Sequence, residues 1–354
     1  MKKNYLFALG AASMLLMSSC QNDSIPASVD TVPVKISVAL PELQDATRAT
    51  GSTEETFGDG TTATKLYYGV FEVYDQDGDG NVERVYLPHI SGEKTISDKK
   101  TDITLQLMHK STYEIAFWAA SEKAPYACTF DGSKAYVDVN YAAMFSNNEN
   151  NDAFYGSTEI KNVALDGGST LIHNGGEPVK LYRPFSQLNI ATSNQDFEDA
   201  TKAGFEVAMT EVVVSGICEV LDLWTGEVSA KDNGGDNARV YKKNDIPTSE
   251  YTFPIVTGQK YLSMNYLLVP SSKELTKVTF KYYTEDGREK TRDFDQVPVQ
   301  RNWRTNIYGD LLTSSVKVSV EIAPLFADEN GTDDDAITDL DKNEWYDQGD
   351  EHRK

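Results

Sequence analysis

The chain has 354 residues, 40 % of them hydrophobic and a quarter charged, with 19 Tyr and 14 Phe. That is the composition of globular units rather than of disorder, and it is enough chain for two of ordinary size. Fifty-five acidic against 33 basic side chains give a formal net charge of −22, so phosphate backbones and anionic membrane surfaces repel it and nucleic acid is a poor candidate partner.

The chain opens with Lys2 and Lys3, an apolar run from Tyr5 to Met17, then Ser18-Ser19-Cys20. A basic start, a short apolar core and small residues make residues 1–20 a secretion signal, too short for a comfortable membrane span. Cys20 resembles the lipidation residue of bacterial lipoproteins, with Met17 where leucine is usual. The resemblance implies a diacylglycerol thioether and a further acyl chain such as palmitate, together strong enough to hold the chain on an outer membrane. The alternative is an ordinary signal cut elsewhere, with Cys20 incidental.

Gln21 to Ser28 form a polar tether. From Val32 to Leu40 the residues alternate, with Val34, Ile36, Val38 and Leu40 on one side and Lys35 and Ser37 on the other, which predicts a half-buried strand. Pro41 to Thr64 then lack apolar periodicity and contain Thr47-Arg48-Ala49. A loop of that length signals function or disorder and is open to proteases. The expected propeptide spans residues 21–48.

Strand signals recur at short intervals over 66–74, 82–87, 103–108, 113–119 and 135–139. They resume over 179–182, 186–191, 205–214, 219–223, 261–269, 276–283, 290–294, 306–312 and 316–322. The longest helical stretch is Asp196 to Ala203. Many short strands separated by turns predict an all-β chain of two tandem β-sandwich domains, 49–177 and 178–326, with the seam at Gly175-Gly176-Glu177-Pro178. From Ala327 the pattern collapses into an acidic tail, 327–354, with 11 Asp/Glu against 3 Lys/Arg. It cannot order itself by burial, and Trp345 and Tyr346 are its docking points.

Little along the chain reads as reaction chemistry. Asp75, Asp77, Asp79 and Gly80 match the opening of a calcium-binding EF-hand loop, but the twelfth position is Tyr86 instead of a glutamate. A hairpin turn is the favoured reading, with weak calcium binding left open. Cys128 and Cys218 could form one bridge or remain separate thiols. Four separated histidines, His89, His109, His173 and His352, give no zinc site or nucleophile relay. Gly-Gly pairs read as loops, and the Asn330-Gly-Thr332 sequon as chance. The expectation is a protein that is not an enzyme and has no cofactor and no dedicated metal.

Two segments add a resemblance. Val179-Lys-Leu-Tyr-Arg183-Pro-Phe-Ser-Gln-Leu-Asn-Ile190 and Val299-Gln-Arg301-Asn302-Trp-Arg304-Thr-Asn306-Ile-Tyr-Gly-Asp-Leu311 resemble strand motifs of the fimbrillins, subunits of type V pili, over residues 1 to 323. The resemblance implies transthyretin-like, Greek-key sandwiches and a location in the fimbrium or on the outer face of the outer membrane. An arginine-specific surface protease would cut after Arg48, with Ala49 as the new N-terminus; normal polymers from an Arg48→Ala variant would mean that the cut is irrelevant or that Lys65 substitutes for Arg48. The detachable strand would carry Val34, Ile36, Val38 and Leu40. A donor strand from another pilus subunit, with Val316, Val318, Val320 and Ile322 as its apolar row, would fill the groove by strand addition and so build an adhesive fibre. The acidic tail departs from that pattern. The competing expectation is a permanently anchored surface lipoprotein that binds glycans through Trp224, Trp303 or Tyr282.

Overall fold

The computed structural model describes residues 31–41, 58–74, 82–161, 163–164, 170–230, 238–248, 251, 253, 257–313, 318–324 and 345–346. Alternating residues of strand β1 (Thr31–Ala39) are buried, as its period-2 pattern requires. Strand β5 (Lys100–Met108) pairs antiparallel with all nine of its residues. On the other side, β10 (Leu171–Ile172) and β11 (Val179–Lys180) pair with it in parallel, so β1 is an interior strand. Pro33 faces Gln106 of β5 before the β10 pairing begins at Val34, a position where a missing N–H is tolerated.

The second sheet is built on β2 (Lys65–Tyr74). Strands β3 (Glu83–Tyr86) and β4 (Gly92–Thr95) lie along one side of it, with β6 (Thr112–Ala120) and then β9 (Ala153–Ile160) on the other. Between the two sheets sits a core in which Ile36, Leu66, Val70, Leu107, Ile115 and Phe117 are fully buried. The opposite face of the second sheet contributes Phe71, Ala116 and Trp118 to a separate core that runs into the second half of the chain.

A third sheet covers that opposite face. It pairs β7 (Tyr126–Asp131) with β8 (Lys134–Val139), then β8 with β14 (Val220–Asp222) and β14 with β15 (Val228–Ser229). One sheet thus takes strands from both halves, and β11, which lies beyond residues 177/178, belongs with β1. The division at 177/178 does not coincide with a sheet boundary. Cys128 on β7 and Cys218, just ahead of β14, are free thiols. Strand β8 lies between them, and two strand spacings amount to about 9–10 Å, beyond disulfide reach. Burial pushes the Cys128 thiol up.

The second half holds two more sheets. One runs β18 (Gln259–Leu268), β12 (Phe185–Ser193), β21 (Trp303–Gly309), β22 (Val318–Pro324) and β23 (Trp345–Tyr346). The other runs β16 (Arg239–Val240), β13 (Met209–Val214), β19 (Glu274–Tyr283) and β20 (Glu289–Val299), with β17 (Asn244–Asp245) also on β13. Helix α1 (Asn194–Lys202) starts two residues before the sequence signal because the Ser193 hydroxyl caps it, accepting from the Asp196 N–H at 3.1 Å. Asp196 is itself buried and accepts from the Leu312 and Thr313 N–H groups at 2.7 and 3.0 Å. Strand β20 extends past Phe294 through Gln296 at a φ of 57°, a bulge that alternation alone does not show.

Gly69 of β2 lies under Phe130 of β7, where an added Cβ would stand 2.3 Å from the Phe130 ring. The second and third sheets approach too closely there for any side chain. Gly69→Ala is expected to lower stability by about 1–3 kcal/mol, measured by urea unfolding. A change below about 0.5 kcal/mol, the range of neutral surface substitutions, would show that the contact is not tight.

Candidate functional site

The slot occupied by β1 is the feature that the apolar pattern of 32–40 anticipates. Val32, Val34, Ile36, Val38 and Leu40 are 4, 1, 0, 2 and 5 % exposed. At about 1.5–3 kcal/mol for each fully buried side chain, the row contributes roughly 7–15 kcal/mol, comparable with the whole net stability of an ordinary domain. An empty slot is therefore not a stable end state. On the outer face, Lys35 pairs with Asp102 of β5 at 2.8 Å, and the Ser37 hydroxyl donates to the same carboxylate at 2.7 Å. The Lys35 ammonium, then the Ser37 hydroxyl, hold the Asp102 carboxyl below its ordinary range.

The chain returns from the residue 42–57 segment at Gly58, which is gripped from both sides. Its N–H donates to the Glu149 carboxylate oxygens at 3.0 and 3.1 Å, and its carbonyl accepts from Arg183 at 2.7 Å. Arg183 in turn donates to both oxygens of Asp152, at 2.8 and 2.6 Å, with both side chains fully buried. The Tyr266 hydroxyl donates to Glu149 at 3.0 Å, and the Thr62 hydroxyl to the Glu149 carbonyl at 2.7 Å. Gly58 has a φ of 89°, and a Cβ on it would stand 2.7 Å from Gln187, so glycine is required on two counts.

Burial, then the Asp152 charge, push Glu149 up to about 8 against the opposing pull of the Gly58 N–H, the Tyr266 hydroxyl and Arg183. Burial raises Asp152 as well, against Arg183. Folded Glu149 keeps a proton that the unfolded chain gives up near its ordinary value of 4.5. Its stabilising effect is complete below that value and is lost as pH rises towards about 8. The depressed carboxylates, Asp102, Glu122, Asp196 and Asp286, act below that window. This one proton should therefore take up to about 1.4 kcal/mol per pH unit from stability between about pH 5 and 7.5, offset in part by His173, whose value is lowered by burial so that its own contribution rises as pH approaches the ordinary 6.5. Glu149→Gln, which keeps an acceptor for Gly58, should flatten that slope in urea-unfolding series. An unchanged slope would contradict it.

The other candidate residues fall in different places. Cys20, Arg48, Ala49, Val316 and the turn residues Asp75, Asp77 and Asp79 lie outside the described residues. Val318, Val320 and Ile322 lie on β22, which pairs antiparallel with β21 of its own chain, and Val318 and Val320 pack against the second core. Donation would require β22 to leave that place. Lys65 is no substitute for Arg48. It sits in β2 between β4 and β6, ion-paired with Glu93 at 2.6 Å and Glu122 at 2.8 Å, whereas proteases need an unpaired extended segment. Among the described residues no cluster of three His, Cys, Asp or Glu could hold a metal ion.

Of the three aromatics, only the two tryptophans keep partial exposure. Tyr282 is 1 % exposed in the second core, which corrects the expectation of an exposed ring. Trp224 is covered by the Arg84 guanidinium at 5.0 Å and by Phe71, and Trp303 is only half-buried. The arginines of the two strand motifs are internal clamps. Arg183 grips Asp152, Arg301 donates to the Tyr155 hydroxyl at 2.9 Å, and buried Arg304 donates to Gln187 at 2.7 Å. Asp102, Glu149 and Asp152 gave no signal in an acidic sequence, because each acquires its meaning only from a partner at least 31 positions away.

Residues 26–350 match the family described as a family of unknown function, DUF6562. The chain belongs to that family. No curated protein matches it. Among solved structures, it is similar to a candidate cell adhesion protein from Parabacteroides distasonis at 13 % identity and a TM-score of 0.44, over 82 % of this chain and 96 % of that one. It is also similar to the tip fimbrial protein Mfa3 from Porphyromonas gingivalis, C-terminally truncated, at 13 % and 0.41 over 84 % and 99 %. A fimbrial assembly protein from Parabacteroides distasonis follows at 13 % and 0.38 over 84 % and 100 %. At these scores the likenesses stand as observations.

Proposed function

We propose that the chain is a structural subunit of a surface fimbrium, exported as a lipoprotein through Cys20, cut after Arg48 and assembled by exchange of β1 for a strand of another subunit. One observation carries this reading. The strand directly ahead of the Arg48 segment is an interior strand whose five apolar side chains fill a core. A cut between residues 42 and 57 would detach it from a body that begins again at the gripped Gly58. The refilling strand would supply backbone hydrogen bonds to two walls and alternate side chains to the vacated pockets. A permanently anchored glycan receptor has no use for a cut behind that strand, and of its three proposed aromatics Tyr282 is buried in the second core and Trp224 is covered by Arg84.

Two measurements test it. N-terminal sequencing of protein extracted from the cell surface should read from Ala49, and Arg48→Ala should remain uncut and unpolymerised. Normal fibres from that variant would contradict the maturation step. Fatty-acid labelling should mark the wild-type precursor and spare Cys20→Ala, whereas equal labelling of both would contradict lipidation at that residue.

A further inference from the structure

Among the described residues, three strands of nine residues or more stand at the edge of a sheet, namely β5, β18 and β20. An open edge offers unpaired N–H and C=O groups, so proteins cover or bend theirs. Strand β18 is covered. The Thr210 and Tyr241 hydroxyls donate to the Leu262 and Tyr266 carbonyls at 3.1 and 2.6 Å, Asn147 bonds to both backbone groups of Met264, and the Leu268 N–H donates to the Tyr141 hydroxyl at 2.9 Å. Strand β20 is bent by its bulge at Gln296 and carries Pro298.

Strand β5 has neither device, and its free side is closed only at the two ends. Lys100 exchanges backbone bonds with Ser97 at 3.0 and 3.1 Å. At the other end the Met108 N–H donates to the Tyr113 hydroxyl at 3.0 Å, and the Met108 carbonyl accepts from the Ser111 N–H at 3.4 Å. Both backbone groups of a strand residue point to one side, and successive residues to opposite sides. Asp102, Thr104 and Gln106 therefore share the orientation of Lys100 and direct their groups away from β1. Ala39, opposite Lys100, likewise turns its carbonyl away from β5, to the Leu181 N–H at 2.9 Å. All three residues are exposed, and no described residue bonds to their outward groups.

This open stretch is complementary to itself. When a second copy lies antiparallel about a two-fold axis at Thr104, Thr104 faces Thr104 and Asp102 faces Gln106 on both sides. Each residue then exchanges N–H···O=C bonds with its opposite. The threonines make a favourable cross-strand pair, and the Gln106 amide can donate to the Asp102 carboxylate. Ile103 and Leu105, 3 and 4 % exposed, stand opposite one another across the seam, so the apolar rows of the two copies continue. The closed ends set the register. A shift of two residues puts Gln106 against Lys100, already held by Ser97, or Asp102 against Met108, already held by Tyr113 and Ser111. A shift of one takes the apolar rows to opposite faces.

We propose that two copies of this chain pair edge to edge through β5, in the register centred on Thr104, as an isologous contact. The pairing leaves β1 in place and does not depend on the strand-exchange reading.

The test is disulfide trapping in cells that display the full chain. Thr104→Cys sets two thiols across the axis at a Cα separation of about 5.5 Å, within disulfide reach. Mild oxidation should convert that variant, and not the wild type, into a reducible covalent dimer. Asp102→Cys alone should stay monomeric and should crosslink when coexpressed with Gln106→Cys. A Thr104→Cys chain that stays monomeric, or one that crosslinks only when coexpressed with Asp102→Cys, would overturn the proposal, as would its capture of a different protein at this edge. Thr104→Pro gives an independent readout. It removes an N–H that points away from β1, so the strand keeps its ladder and the urea midpoint should hold, while the edge is blocked. Sedimentation of the detergent-extracted chain should show self-association weakened at least about tenfold, and unchanged association would overturn pairing through β5.

Discussion

The first sheet depends on one strand. Strands β5, β10 and β11 are joined through β1, which carries a nine-residue ladder on one side and two short parallel pairings on the other. Take β1 away and β5 loses its ladder partner while the pockets of five buried side chains open. Edge strands of that kind template association with whatever strand is available. An interior position is what makes detachment of an N-terminal strand consequential, since loss of an edge strand would leave the rest of the sheet paired.

The rest of the molecule is held together by contacts that do not involve β1. Gly58 is held by Glu149 and Arg183, with Asp152 anchoring Arg183, and the Tyr266 hydroxyl ties that cluster to the second half. The third sheet adds a continuous β7–β8–β14–β15 ladder across the halves. Arg301 completes the staple, reaching the Tyr155 hydroxyl and the Gly226 carbonyl. A buried ion pair of the Arg183–Asp152 kind is weak as a source of net stability, but breaking it leaves an uncompensated charge. Its effect is therefore to fix one arrangement of the junction.

The strands were legible wherever one face is buried and the other solvated. In β1, β5 and β19 the alternation of apolar and polar residues is nearly complete, and the expected and observed ranges overlap closely, whereas β13 begins four residues later than the expected 205–214 and does not alternate in sequence. Strand β9 was missed because its Gly156, Ser157 and Glu159 break the pattern, and β7 because its residues are half-buried on both faces. The interleaving of the halves was invisible, since a strand of three residues such as β14 carries no address for its partner. The apolar row of the slot could be read from the sequence. Asp102 could not, because nothing about one aspartate among many identifies the strand across from it.

The most direct measurement is a reconstruction of assembled fibres at a resolution that distinguishes side chains. The strand beside β5 should belong to a neighbouring subunit and set apolar side chains in the pockets that Val32, Val34, Ile36, Val38 and Leu40 fill in the single chain. Residues 31–39 of the same subunit, still paired with β5 inside an intact fibre, would contradict strand exchange at this slot.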